Sequence, residues 1–391
     1  MQVNRMNVST GTTRADLVPA FREALARCID PGGEVGLQLA IYQDTKLVVD
    51  MWAGIADVTT GRAVAAETLF PTFSVIKAVT AVALHVQAER GLVEYDAPVA
   101  RYWPEFAANG KDRMTVCHVL QHRSGIWQMP ADVTPESMAD YGWMADAIAR
   151  LTPIFEPGTR NGYQSYTFGW IVAEIVRRTD PARRPFFTFV QDEILRPLGI
   201  NDLWIGLPAS EHARVARLVN APPRDLPPDA PPLRAIPLHV GTREDIFGRT
   251  DIREACIPGA GGMTTAPCMA RFFAMLANGG ILDGVRLLSE ARVKDFSIAR
   301  PDADQPDDVH GIPLRIGAGF WTGGNTQPAN LARLIGNNTR AIGHPGAGGS
   351  LAWADPDARL AVSICHNRMF VPPNPGLDPI RAAISQSFGV D

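Results

Sequence analysis

Strand-like alternation of apolar and polar residues occurs at the two ends of this chain, and that placement limits the folds open to it. Near the start, VGLQLAIYQ (35–43) and KLVVDMWAG (46–54) are separated by a short polar turn, a β-hairpin pattern. Near the end, RIGAGFW (315–321), SLAWADP (350–356) and RLAVSICHN (359–367) repeat the signal, and the last two flank the turn DPDAR. From the mid-seventies to about residue 255 the pattern is mainly helical. In DYGWMADAIARL (140–151) and YTFGWIVAEIVRRT (166–179), apolar residues recur at i, i+3 and i+4. An amphipathic helix over 15–28 precedes the first hairpin, and LDPIRAAISQSF closes the chain. The prediction is an α+β fold, an antiparallel sheet built from both termini and flanked by N- and C-terminal helices, with a mainly helical insertion. Its domains would be 1–73 with 256–391, and 74–255. The proline-rich run APPRDLPPDAPPLRAIP (221–237) reads as a surface loop or lid.

Composition narrows the function classes. Hydrophobic residues make up 46% and charged residues 20%, and the net charge is −4 with a pI near 6.1. No basic footprint for nucleic acid or an anionic membrane surface is present. No apolar run reaches the ~18 residues that span a bilayer, and the N-terminal stretch has no apolar core of a secretory signal. The five cysteines are scattered without a C-x-x-C pair, so neither a zinc site nor a disulfide framework is expected. P-loop, H-E-x-x-H and G-x-G-x-x-G patterns are missing, so no cofactor or metal is expected. A reducing cytoplasm is the simplest setting.

Of 37 basic residues, only Lys46, Lys77, Lys111 and Lys294 are lysines. Three stand in polar stretches. Lys77 stands inside the apolar helix of FSVIKAVTAVALHV (73–86), which runs from 74 to 90 and ends at Gly91. Ser74 lies three residues earlier, on the same helix face, within reach of the lysine amine. Burial lowers a lysine pKa, and a lysine so poised can take a serine proton, which an arginine cannot. Ser74 also falls in the first helical turn, where unpaired N–H groups favour a developing oxyanion. A lysine snorkelling to water from a chance Ser-x-x-Lys match is the alternative. The other serine-hydrolase pattern, G-x-S-x-G, is absent; GGSLA (348–352) comes nearest.

Two further stretches could complete a site. PGTRNGYQSYTFGW (157–170) offers Tyr163 in a loop before a helix; a nearby ammonium would favour its phenolate, making it a general base or relay, or it is an ordinary core or surface tyrosine. GHPGAGGSLAW (343–353) brings glycines into an expected edge strand, where N–H groups could join that of Ser74 in an oxyanion hole, or form only a tight turn.

Together these segments resemble the serine β-lactamase / penicillin-binding-protein superfamily, and most closely its family VIII carboxylesterases, related to class C β-lactamases. FSVIK stands at the family's Ser-x-x-Lys, followed by GLVEYDAPVARYWPEF and HVLQHRSGI. PGTRNGYQS stands at its Tyr-x-Asn, PGAGGMTTAPCMARFFAMLANGG at its glycine-rich turn and helix, and GHPGAGG at its Lys-Thr-Gly. The resemblance spans nearly the whole chain. It implies an active site between the sheet and helical domains, with Ser74 as nucleophile, Lys77 as its activator and Tyr163 shuttling protons. The N–H groups of Ser74 and Ala347 would bind the oxyanion.

Two positions depart from the family. Ser165 replaces the asparagine of Tyr-x-Asn; its hydroxyl can still hydrogen-bond Lys77. His344 replaces the lysine of Lys-Thr-Gly; a histidine with a pKa of ~6.5 is mostly neutral at pH 7, which removes the cation that would meet a β-lactam carboxylate. The substitution favours neutral esters. Substrate contacts are expected from His344, Gly346, Ser165, Trp127 and Trp321. Trp143, Phe247 and Phe320 also lie in segments that could line an apolar pocket, or could be core. The remaining histidines, among them His85, His118 and His122, show no metal-ligand spacing and read as structural. The expected function is a serine carboxylesterase acting on a small-molecule ester. Acyltransferase, amide hydrolase and weak β-lactamase activity are the enzymic alternatives, and a non-catalytic binding domain is the remaining one.

Overall fold

The computed structural model describes residues 8–29, 33–222, 225–324, 335–370 and 375–390. The first seven residues, and 223–224 of the proline-rich loop, lie outside them. The core is an eight-stranded antiparallel sheet. Its strands are β1 (Val8–Thr10), β2 (Gly36–Gln43), β3 (Lys46–Asp57), β4 (Trp321–Thr322), β5 (Ile342–Pro345), β6 (Leu351–Asp355) and β7 (Leu360–His366), with the short strand Arg62–Ala63 attached to β3. Their order is β1-β3-β2-β7-β6-β5-β4. The two ends of the chain meet at the centre, where β2 pairs with β7 from Leu37↔His366 to Gln43↔Leu360.

Side-chain alternation decides what covers each face. Leu37, Leu39 and Ile41 of β2, with Leu360, Val362 and Ile364 of β7, meet the terminal helices α1 (Val18–Cys28) and, closing the chain, Asp378–Phe388. Ala40, Ala361 and Cys365 face the other way, toward the helix Ala266–Ala277. The small side chains let that helix approach, while each fully buried Leu or Ile on the opposite face contributes ~1.5–3 kcal/mol. Gln38, buried on the alanine face, donates to Ala65 O and Ala66 O and accepts from Ala266 N.

The central helix, α2 (Ile76–Glu89), is buried along almost its whole length. It stops where Gly91 takes φ +73°, with the Leu92 N–H donating to Gln87 O at 2.9 Å. The helices α3 (Tyr141–Arg150) and α4 (Thr167–Thr179) follow the predicted segments closely, as do α1 and the strands β2, β3, β6 and β7. No helix among the described residues is long and apolar enough to cross a membrane.

The strand expected over 315–321 is a tight turn; only Trp321 and Thr322 extend into the sheet. Gly317 N–H donates to Phe320 O, and a Cβ on Gly317 would lie 1.9 Å from Phe296 O. Alternating apolar residues cannot hold a strand where the backbone is pressed this closely. The glycine-rich stretch forms β5, which lies between β4 and β6 and not at the sheet edge. Lys111 also departs from expectation. It is buried, its amine donates to Ala108 O and Leu151 O, and burial lowers its pKa to about 8.

Candidate active site

A small three-stranded sheet sets the start of α2. Phe70–Pro71 pairs with Gly262–Thr264, which also pairs with Leu203–Ile205. Thr72 N–H then donates to Gly262 O at 2.8 Å. The next residue, Phe73, takes φ +48°, a conformation that costs a non-glycine residue of order 1–3 kcal/mol. Its ring is held edge-on by Phe247 at 4.9 Å. Ser74 follows within the 3₁₀ turn Phe73–Val75, which runs directly into α2.

Lys77 is fully buried, and its Nζ has three neighbours: Ser74 Oγ at 2.8 Å, Ser165 O at 2.6 Å and Gly259 O at 2.7 Å. Carbonyls only accept. A neutral amine spends both hydrogens on them, and its lone pair is left facing the Ser74 hydroxyl. Burial in apolar surroundings holds the Lys77 pKa well below the ordinary lysine value, which favours that neutral form. The Ser165 contact is made by its carbonyl, not by the hydroxyl that the sequence suggested.

Gly259 reaches Lys77 because two backbones touch. A Cβ on Gly169 of α4 would sit 2.0 Å from Gly259 N, and one on Gly259 would sit 2.5 Å from Tyr166 O. The stretch around Gly259 was legible as a glycine-rich turn, but nothing in it announced that its carbonyl would hold the lysine.

Tyr163 lies beside this pair, with Lys77 Nζ 5.4 Å from its ring centroid. Burial is the largest influence on its titration and raises its pKa, as Asp307 does, while the Ser74 hydroxyl and the Trp321 indole act the other way. The expectation of a favoured phenolate is therefore corrected: Tyr163 is a phenol, because its surroundings are dry and Lys77 is not a firm cation. Its N–H donates to Asp307 Oδ1 at 3.1 Å. Asp307 pairs with Arg300 at 3.0 Å, both side chains fully buried, and also accepts from Val309 N and His310 N. No motif singled out this pair.

His344, on β5, is wholly buried behind Tyr163. Its Nδ1 lies 2.8 Å from Pro345 O, so Nδ1 carries the hydrogen and Nε2 is left as an acceptor, 3.4 Å from Tyr163 Oη. Desolvation, then the neighbouring Lys77, pushes the His344 pKa well below the usual histidine range. His122 packs on the Tyr163 ring at 4.6 Å, accepts from Gln164 N at 2.9 Å, and is also held neutral by burial. It is structural, as read, but it shapes the site.

Gly346 and Ala347 complete the arrangement. A Cβ on Gly346 would lie 2.3 Å from Thr72 O, so the end of β5 presses on the run-in to Ser74. Ala347 opens a 3₁₀ turn, Ala347–Gly349, whose first N–H groups have no partner within the turn. Backbone donors of this turn are thus brought close to the run-in to Ser74.

The aromatic residues divide. Trp321 packs edge-on against Tyr163 at 5.9 Å, and Trp127 lies against Gly162 with the Arg234 guanidinium over its ring at 5.2 Å. Phe247 meets Phe73, and Trp143 is half-buried at the start of α3. Phe320 is core: it packs with Phe296 and His85 against α2, because the 315–321 turn tucks it there.

Comparison with known proteins agrees with this fold. The Beta-lactamase family pattern matches residues 23–386. The chain is 33% identical to the esterase/beta-lactamase LipL of Mycobacterium tuberculosis over 352 residues, covering 86% of this chain and 78% of LipL. The crystal structure of a family VIII carboxylesterase superposes with a TM-score of 0.86 at 32% identity, covering 97% of this chain and 99% of that one. A penicillin-binding-protein homologue from Caulobacter crescentus gives 0.84 at 33% identity, covering 96% and 100%. The chain belongs to the Beta-lactamase family, within the esterase/β-lactamase-like hydrolases.

Proposed function

We propose that this chain is a serine carboxylesterase that hydrolyses small neutral esters through an acyl-enzyme on Ser74. The observation that carries this reading is the Lys77 amine, whose two carbonyl acceptors leave a lone pair for the Ser74 hydroxyl at 2.8 Å. Ser74 Oγ attacks the ester carbon as its proton passes to Lys77 Nζ. The N–H groups of Ser74 and Ala347 receive the oxyanion. When the tetrahedral species collapses, the departing alkoxide takes the Tyr163 proton, and the Lys77 ammonium restores it. Water then attacks the acyl carbon and Ser74 leaves with a proton. The reacting groups lie between the proposed unit formed by 1–73 with 256–391 and the helical unit of 74–255.

Preference for neutral esters rests on His344. It is neutral and wholly buried, so it offers no cation to a substrate carboxylate. Ester hydrolysis is the activity named for two of the relatives above. Trp321, Trp127, Ser165 and Gly346 would frame the acyl and alcohol groups.

The test is a panel of p-nitrophenyl esters of increasing chain length, with nitrocefin included, on wild type and Ser74→Ala. Wild type should turn over the neutral esters and be labelled on Ser74 by a fluorophosphonate, and Ser74→Ala should do neither. Full esterase activity in Ser74→Ala would refute the mechanism, and faster turnover of nitrocefin than of any ester would refute the substrate class.

A further inference from the structure

The incoming water poses a problem that the Ser74–Lys77 pair does not solve. In the acyl-enzyme Ser74 Oγ is an ester oxygen, and the Lys77 lone pair faces that oxygen. Water attacks from the side the alcohol left, which in the proposed mechanism is the side of Tyr163. By microscopic reversibility the group that protonated the alcohol deprotonates the water. Tyr163, however, is a buried phenol and carries its own proton. It can act as a base only if that proton has somewhere to go; Lys77, which supplied it in acylation, already holds Ser165 O and Gly259 O and faces the acylated Ser74 oxygen.

Besides the Ser74 side chain, which is acylated at this stage, Nε2 of His344 stands at Tyr163 Oη, at 3.4 Å. Its tautomer is fixed for the task, because Nδ1–H is held on Pro345 O at 2.8 Å. The Trp321 indole N–H supplies the complementary half. It is buried, and no hydrogen-bond partner for it lies among the described residues. The indole ring packs edge-on against Tyr163 at 5.9 Å, and its influence on the Tyr163 oxygen, the smallest of those acting there, favours negative charge.

We propose that Tyr163 and His344 form a proton relay for deacylation, with Trp321 steadying the Tyr163 oxygen. The inference rests on the acyl-enzyme reading above. A water O–H bond breaks and its proton joins Tyr163 Oη as the phenolic proton passes to His344 Nε2. When the second tetrahedral species collapses, the acyl C–Oγ bond breaks, Tyr163 gives a proton to Ser74 Oγ, and the imidazolium returns one to Tyr163. The enzyme is regenerated with no net change in protons. His344 stays neutral in the resting site because burial disfavours its charged form. The oxyanion beside Ser74 offsets the buried positive charge while the relay is loaded. Hydrogen bonds of ligand-free sites are often long and tighten once substrate is bound, which suits the 3.4 Å separation. Histidine at position 344 thus gives the site a neutral acceptor where the family resemblance places the lysine of Lys-Thr-Gly in β-lactamases.

His344→Gln keeps a polar side chain that cannot take the proton. A first-turnover burst of p-nitrophenol should persist, and steady-state turnover should fall by ~10²-fold or more, well beyond any change in the burst rate. Intact-protein mass spectrometry should then show a butyryl adduct on Ser74 that accumulates in the variant. Hydroxylamine, which needs less help as a nucleophile, should discharge that adduct. A parallel fall of acylation and deacylation, or no change in either, would overturn the relay. Should the variant not fold, wild type decides: deacylation rates in mixtures of H₂O and D₂O should bow downward when two protons move together, and a straight line overturns the proposal. Failure of the serine-esterase reading looks different, because then no adduct forms on Ser74 in wild type or variant.

Discussion

At the scale of single residues, the site depends on one amine being neutral. An arginine at position 77 would stay protonated and could not take the Ser74 proton. Lys77→Arg should therefore lower kcat/KM for p-nitrophenyl butyrate by ~10²–10⁴-fold. Steady-state kinetics checks this, and a loss of less than tenfold would remove Lys77 from the chemistry. The pH profile carries the same information. Activity needs the unprotonated amine, so it declines as pH falls through the folded Lys77 pKa, which lies well below 10.5. An acid limb centred near the ordinary lysine value would contradict the burial argument. The Ser74–Lys77 contact was legible because an i, i+3 spacing sets both side chains on one helix face, whereas Tyr163 stood out only through the family resemblance. The protonation of Tyr163 was not legible. It depends on burial beneath residues 300–310 and β4, which are distant in sequence. Lys111 misled for the converse reason: its polar neighbours in NGKDR say nothing about where a long stem ends.

At the scale of elements, close backbone approaches locate the catalytic atoms. Gly169→Ala would drive a methyl group into Gly259 N, so the Gly259 carbonyl must leave Lys77. Overpacking of this kind typically costs about 1–3 kcal/mol. The variant should melt earlier and lose activity beyond what its stability explains, whereas Ala173→Val, elsewhere on α4, would report packing alone. Equal effects of the two on kcat at a temperature where both are folded would argue against the positioning role. The helices and long strands could be read from the sequence because their periodicity is local. The 315–321 segment could not, since its turn is forced by contact with Phe296 and by Gly319, whose Cβ would meet Ala81. The close approach to Thr72 was not legible, because it is made by Gly346, just past the end of β5, against a residue distant in sequence.

At the scale of the whole molecule, the buried histidines link folding to pH. His85 is pushed down to about 3 by burial, and His122 and His344 are lowered as well. Between the ordinary value of 6.5 and about 3, the unfolded chain binds a proton at His85 that the folded chain does not. Stability therefore falls as pH drops through that window, and it gains nothing from these groups above it. Thermal melts should show the decline, and His85→Gln should flatten it; an unchanged slope would mean His85 is charged in the folded state. The same long-range design governs how the fold is reached. Strand β2 is complete at Gln43, yet its central neighbour β7 starts only at Leu360. For most of its synthesis the chain therefore carries a hairpin with one open apolar edge, the kind of surface that recruits other chains. Nascent-chain quality control, more than the finished enzyme, bears the burden of a sheet whose middle is sewn last.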